Sequence, residues 1–316
     1  MINRLAVVVA AYNEELNISK CLDALLLQTY QDFLIVVVDD GSIDRTAEIV
    51  KSYTRSHANI FYVYQNNSGA AEARKRGVEF FDVEYVTFVD ADDLLSDDAI
   101  ESALEVMSST QANVVLYQLV VSRSKFNNDY WEFVYYTDEV VFKGRDAFVN
   151  SILHWGVHGL GVFERSIFIK SYLDYSSLNY SNINYINNDE IVTRLIFLNS
   201  KNVAVCSGKY FYQFNENSVT KSPNERFYLI LENTILLHKI CIERNIDFPF
   251  HKKYYEDFMF VYKKYKTWKS MLHNLAVWKN ELNKYLNFLF NPSIFFNLSL
   301  KEKLKLIRIK FKLIFF

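Results

Sequence analysis

The chain has 316 residues, enough for one large α/β domain or two ordinary ones. Half of the residues are hydrophobic and 16% are aromatic, with 3 Pro and 8 Gly, which excludes a disordered, collagenous or linker-dominated chain. The net charge of −2 hides an asymmetry: 17 Lys+Arg stand against 29 Asp+Glu over residues 1–220, and 18 against 8 over 221–316. The pattern is an acidic body with a basic end suited to a negative surface, either nucleic acid or anionic lipid.

Leu5–Ala10, Phe33–Val38, Ile60–Tyr64, Tyr85–Val89 and Asn113–Tyr117 are continuous apolar runs of strand length, as expected of strands covered on both faces. Between the first two, Ile18, Leu22, Leu25 and Leu26 fall at helical spacing, with Asn17 as the expected cap. After Val38 a helix capped by Ser42 or Asp44 runs through Val50, and Ala70–Phe80 and Asp97–Met107 read as two more. The order βαβαβαβαβ predicts an α/β, doubly wound, mostly parallel sheet with right-handed crossovers.

From about residue 121 the regularity breaks. Residues 121–145 read as strands and turns, Asp146–Leu153 as a short helix and 175–190 as an Asn/Tyr/Ser-rich loop. Glu190–Leu198 is helical again, followed by strand-like Val203–Cys206 and Tyr210–Phe214, and beyond 221 the chain turns helical, basic and aromatic. Three parts follow: 1–120, 121–220 and 221–316. No run reaches the roughly 18 apolar residues of a membrane span, and Leu5–Ala11 is better explained as a buried first strand than as a signal peptide. Cys21, Cys206 and Cys241 are too scattered for a disulfide framework, so a reducing, cytoplasmic setting is expected.

Open parallel sheets bind ligands at the carboxyl ends of their strands, and the polar clusters sit there. Asp90-Ala91-Asp92-Asp93 follows a buried strand. Three carboxylates within four residues repel one another unless a cation is present. A hard divalent ion, Mn2+ or Mg2+, takes one or two carboxylates and then the oxygens of a substrate diphosphate. Asp39-Asp40-Gly41-Ser42 is ordinary turn chemistry when taken alone. At this edge, however, a carboxylate can accept a hydrogen bond from a base N–H while Tyr12 stacks on the base. Tyr12-Asn13-Glu14-Glu15 stands where a Gly-rich phosphate loop would be, which argues against a dinucleotide fingerprint or a P-loop.

Ala11-Tyr12-Asn13-Glu14, Asp39-Asp40-Gly41-Ser42, Asn67-Ser68-Gly69 with Ala73-Arg74, and Asp90-Ala91-Asp92-Asp93, in that order, resemble the family 2 glycosyltransferases of GT-A fold. The likeness is close over roughly residues 4–110. It is weaker at Asp189-Glu190-Ile191, Leu195, Ala204, Tyr212 and Asn217–Thr220. The resemblance implies an inverting transfer from a nucleotide sugar, with uracil the usual base. Tyr12 and Asp40 would hold the base, with Ala11, Glu14 and Asp39 beside them, and Arg74 would face the diphosphate or the base pocket. Asp90 and Asp92 would be the metal-binding pair around Ala91, with Asp92 the leading metal contact and Asp93 its rival. The family commonly places its catalytic base second in a Glu-Asp pair opening a helix. Here the order is Asp189-Glu190, so Glu190 takes that place and Asp189 is the alternative.

Such a base has a physical reason, since a sugar hydroxyl is a poor nucleophile until a carboxylate takes its proton. Trp155 and His158, on a Gly-rich turn, are candidates for a sugar-binding wall at the acceptor, or for a packed aromatic corner. At the carboxyl end Leu300, Leu304, Ile307, Phe311 and Ile314 repeat at helical spacing among six cations and one acid. That pattern suits a helix lying on an anionic membrane surface, or one docked on the acidic body. The reading is therefore a peripheral enzyme at the inner face of the cell membrane. It adds a sugar to a growing surface polysaccharide (capsule or lipopolysaccharide) or a lipid-linked glycan, and no nucleic acid is expected as partner. The rivals are a polyprenyl-phosphate sugar synthase and a non-catalytic nucleotide-sugar-binding partner.

Overall fold

The computed structural model describes residues 4–122, 130–153, 156–179, 186, 188–213 and 222–315, the last two without their side chains. The chain divides into two compact units, Met1–Asn184 with Asn188–Asn215, and Tyr185–Asn187 with Glu216–Phe316.

In the first unit the elements alternate as the apolar runs predict. They are β1 (Leu5–Ala11), α1 (Ile18–Leu26), β2 (Phe33–Asp39), α2 (Thr46–Ser56), β3 (Ile60–Tyr64), α3 (Ala70–Phe80), β4 (Tyr85–Asp90), β5 (Leu94–Leu95), α4 (Ala99–Thr110) and β6 (Val114–Ser122). There follow β7 (Tyr130–Glu132), β8 (Val141–Lys143), α5 (Gly144–Ile152), β9 (Gly161–Glu164), α6 (Arg165–Leu178), α7 (Asn188–Asn199) and β10 (Asn202–Tyr212). One sheet runs β3-β2-β1-β4-β9-β6-β10-β5, with β7 on β6 and β8 on β10.

β1 pairs in parallel with β2 and β4, and β2 with β3. The crossover helices this requires bury both faces of β1, which is why its whole length is apolar. Helices α1, α2 and α4 cover one face, where Val7, Val9, Ile35 and Val37 meet Leu22, Val50 and Ala103. Helix α3 lies on the other face and comes so close that a Cβ on Gly77 would stand 2.3 Å from Val8 Cγ1.

Four local expectations change. The fifth parallel strand, β6, does not pair with β4, because antiparallel β9 is inserted between them. The two strand-like runs after 202 are one strand, β10, with an irregularity between Val205 and Lys209 where it follows β6. The Asn/Tyr/Ser-rich segment from 175 begins as helix, since α6 continues to Leu178 with Tyr172, Tyr175 and Leu178 buried. Asn17 does not cap α1; its amide donates to Glu14 instead.

The second unit is helical: a 3₁₀ turn (Phe227–Leu229), then α8 (Ile230–Glu243), α9 (Phe250–Trp268), α10 (Leu275–Leu289), α11 (Pro292–Phe295) and α12 (Leu300–Phe315). Helix α9 packs on α8, α10 and α11, and α12 on α10. Aromatic rings fill its core, where Phe258 and Tyr285 stack with centroids 6.2 Å apart beside fully buried Trp278. Among the described residues no helix is long and apolar enough to cross a membrane.

Candidate active site

The carboxyl ends of β1, β2 and β4 gather the first three acidic motifs, and α7 brings the fourth. The loops after β1 and β2 are stitched together. Asp40 N–H donates to Ala11 O at 2.8 Å, Asn13 N–H to Ser42 Oγ at 2.9 Å, Ile43 N–H to Asn13 Oδ1 at 2.9 Å and Glu14 N–H to Thr46 Oγ1 at 2.8 Å. Asn13 reaches this arrangement in the left-handed region, φ 57°, which Asn tolerates better than most residues. On this platform Tyr12 is 49% exposed, with its ring available to a planar ligand.

Asp39 and Asp40 are both buried. Asp39 accepts from Ser42 N–H at 2.8 Å and from the Tyr62 hydroxyl at 2.7 Å. Asp40 accepts from Gln65 Nε2 and Ser68 N at 2.8 Å and from Gly69 N at 2.9 Å, which fixes the 65–69 loop beside the platform. Gly41, at φ +84°, lies against Asn67, where a Cβ would come within 2.9 Å of the backbone nitrogen. That explains the glycine in the Asp-Asp-Gly-Ser run.

The four residues from Asp90 to Asp93 join β4 to β5 and are braced by β10. Tyr210 accepts from Asp90 N–H at 3.1 Å and donates to Asp93 at 2.8 Å, and Gln213 N–H donates to the other Asp93 oxygen at 2.7 Å. Both Asp93 oxygens are thus engaged, and the residue is 1% exposed. Burial and the charges of Asp90 and Asp92 push its pKa well above the carboxylate range. The geometry makes Asp93 a strut of the loop, while Asp90 and Asp92 are half-buried on either side of buried Ala91. Glu14 belongs to the same field. Burial first, then Asp92, Asp44 and Asp90, raise its pKa to about 7 against the lowering effect of the Asn17 amide.

Arg74, on α3, lies between two of the motifs. Its Nη2 donates to Asp90 Oδ1 at 2.8 Å and its Nη1 to Asp189 Oδ2 at 2.7 Å. The guanidinium sits 5.7 Å from the Phe88 ring centroid. Burial works against its charge, and Asp90 and Asp189 outweigh burial, raising its pKa above the ordinary arginine value. Asp189 and Glu190 open α7, where the helix dipole favours carboxylates. Glu190 accepts from Arg194 Nη1 at 3.2 Å, one turn on, and Arg194 is itself held by Ser151 O at 3.1 Å.

His158 leaves the acceptor wall. It is 6% exposed, and Leu160 N–H donates to its Nδ1 at 3.2 Å. The Tyr135 hydroxyl donates its proton to Tyr117 O at 2.6 Å, so the bond of 2.6 Å between that hydroxyl and Nε2 runs from the ring nitrogen. This assigns the neutral Nε2–H tautomer, in keeping with burial lowering the pKa to about 3. His158 is a packed core histidine, the plainer of the two readings. Trp155, and Asn217–Thr220 of the weaker likeness, lie outside the described residues.

Two positioning residues escaped the sequence reading. Arg194 had a signal, since it stands four residues after Glu190 on one helix. Tyr210 had none, being 120 residues from Asp90. Among the described residues no group of three or more His, Cys, Asp or Glu is placed to hold a metal by itself. A cation here would need ligand oxygens from its substrate, as Mg2+ commonly does.

The family model described as "Glycosyl transferase family 2" matches residues 6–171. The glycosyltransferase GlyA of Streptococcus pneumoniae serotype 4 is 36% identical over 141 residues, which are 42% of this chain and 20% of that protein. The uncharacterized glycosyltransferase EpsJ of Bacillus subtilis is 36% identical over 115 residues, 36% of this chain and 33% of that protein. The match thus spans a third or less of these curated relatives. Among solved structures, S. aureus TarS superposes with a TM-score of 0.63 at 20% identity, over 97% of this chain and 53% of that one. TarS 1–349 in complex with UDP-GlcNAc superposes with a TM-score of 0.58 at 19% identity, over 90% and 81%. These structures share the GT-A fold with this chain.

Proposed function

The chain belongs to glycosyl transferase family 2, and from that premise we propose that it is an inverting glycosyltransferase. It would move a hexose or N-acetylhexosamine from a UDP-sugar to a hydroxyl of a surface polysaccharide or lipid-linked glycan. The observation that carries this reading is the convergence, at one sheet edge, of an exposed aromatic platform, the Asp90/Asp92 pair and the Asp189-Glu190 helix start, linked through Arg74. The complex of TarS with UDP-GlcNAc supports a uridine donor.

In this reading Tyr12 stacks on the base, and the buried Asp40 carboxylate stands at the base edge while fixing the 65–69 loop. Asp92 and Asp90 would hold a divalent ion, Mn2+ or Mg2+. The field felt at Glu14 and Asp93, whose pKa values rise partly through Asp90 and Asp92, fits a site built for a cation. Such an ion, when bound, disperses the negative charge growing on the departing diphosphate. Glu190 accepts the acceptor hydroxyl proton as its oxygen attacks the anomeric carbon, the carbon–oxygen bond to the diphosphate breaks, and UDP leaves. Displacement from the far side inverts that carbon, giving a β-linked product from an α-linked donor. Arg194 aims the Glu190 carboxylate, and Arg74 fixes the helix start through Asp189.

Release of free nucleoside diphosphate from a panel of UDP-hexoses, UDP-N-acetylhexosamines and GDP-mannose, with Mn2+ or with EDTA, tests the reading. Slow Mn2+-dependent hydrolysis of one UDP-sugar, lost in Asp92→Ala, is expected. Turnover of GDP-mannose alone would refute the uridine assignment.

A further inference from the structure

Helix α12 has two apolar faces. Leu306, Ile309 and Leu313 are buried and hold it to its own unit, where it packs on α10. Successive residues turn by about 100° around a helix, which puts Leu300, Leu304, Ile307 and Phe311 on the far side. They are between 38% and 73% exposed. Exposed Lys301, Lys305, Arg308 and Lys312 line one flank of this outer stripe. Lys303 and Lys310 line the other, with their ammonium groups 5.8 Å and 4.5 Å from the ring centroids of Phe295 and Phe290.

A helix that only packs on its unit needs one apolar stripe; here a second stays in water. The helix carries one acid, Glu302, which is engaged at its start. Glu302 accepts from Ser299 N and Oγ at 2.8 Å and 2.7 Å, while Ser299 Oγ accepts from Glu302 N–H at 3.4 Å. This capping box fixes the helix before any partner arrives and leaves both flanks of the outer stripe cationic.

We infer that the outer face of α12 docks on an anionic phospholipid bilayer. Leu300, Leu304, Ile307 and Phe311 enter the acyl boundary, and the flanking cations lie at headgroup level. Charge decides the occupant. A second copy of the helix laid on the same stripe would bring cationic flanks against cationic flanks. A soluble polyanion would match the cations and leave the stripe in water. The inference stands on the residues of α12 and goes beyond the transfer reaction; it brings the chain to the surface that would carry a lipid-linked acceptor.

The test is co-sedimentation of the full chain with vesicles of phosphatidylcholine alone and of phosphatidylcholine mixed with phosphatidylglycerol. Binding to the anionic vesicles alone is expected. Lys305→Gln with Arg308→Gln should weaken it about thirtyfold, the loss expected for two surface cations. Leu304→Ser with Phe311→Ser should abolish it. All four side chains are exposed, so both double variants should keep the wild-type circular dichroism, melting temperature and UDP affinity. That retention separates failure of this inference from failure of the transferase reading. Equal binding to neutral and anionic vesicles, or none to either, overturns the inference. So does self-association that the Ser pair abolishes, which would make a second copy the occupant.

Discussion

Arg74 and Asp189 are 115 residues apart in the chain and 2.7 Å apart in the fold. The same guanidinium holds Asp90 at 2.8 Å, so one side chain ties the end of β4 to the first turn of α7. Without it, two carboxylates that are each about one-third exposed would face each other uncompensated.

Arg74→Met should therefore destabilise the first unit by about 2 kcal/mol, below the full cost of breaking a buried pair because both partners are partly solvated. At that cost the melting temperature falls by about 5 °C. Arg74→Lys keeps the charge without the two-pronged geometry and should recover part of the loss. Thermal unfolding of the three proteins checks the order; a fully stable Arg74→Met would contradict the bridge.

The same geometry separates the two candidates for the base. Asp189 is held by Arg74, while Glu190 is aimed by Arg194. Glu190→Gln should lower kcat by about 10²- to 10⁴-fold with little change in donor KM. Asp189→Asn should cost less in kcat and should also lower the melting temperature. Steady-state kinetics with a glycan acceptor read the difference, and the reverse order would make Asp189 the base. Retained activity in both variants would favour the polyprenyl-phosphate reading, whose acceptor needs no strong base.

Asp93 should act on stability ahead of chemistry. Asp93→Ala leaves the buried Tyr210 hydroxyl and Gln213 N–H without their acceptor, at a cost of about 1–3 kcal/mol for each buried group left unpaired. A clear drop in melting temperature is expected, with donor hydrolysis per folded molecule falling less than in Asp92→Ala. Equal loss of hydrolysis in the two variants would return Asp93 to the metal pair.

Much of this could be read from the residues. The fold of the first 122 residues follows from continuous apolar runs at regular spacing, because a strand buried on both faces has no polar alternative, and its motifs stand at the strand ends where the topology requires them. What could not be read depends on pairings distant in sequence. The four residues Gly161–Glu164 that enter between β4 and β6 carry no mark of their antiparallel place. Nor does Tyr210 announce that it spans to Asp93. His158 illustrates the opposite case: a histidine beside glycines and a tryptophan left a binding wall and a packed aromatic corner both open, and only the partners of its two nitrogens reveal a core residue.

Two groups give opposite pH signatures. His158 has its pKa depressed to about 3 by burial, so the unfolded chain binds its proton first as pH falls. Its contribution is complete above the ordinary histidine pKa and is lost on acidification from there toward about 3, up to about 5 kcal/mol in total. Glu14, raised to about 7, runs the other way. The folded chain holds its proton between the ordinary glutamate pKa and 7, so stability declines as pH rises through that window and levels off above it. Denaturant melts across pH should show His158→Phe flattening the acid limb, and Glu14→Gln flattening the decline toward neutrality. A wild-type slope in both variants would contradict these placements.

The most direct measurement is calorimetric titration of UDP into the purified chain, with Mn2+ and with EDTA, for wild type and Asp92→Ala. The account predicts saturable one-to-one binding that requires Mn2+ in wild type and weakens sharply in Asp92→Ala. Absence of UDP binding by the folded wild-type chain in the presence of Mn2+ would contradict the assignment of this sheet edge as a nucleotide-sugar site.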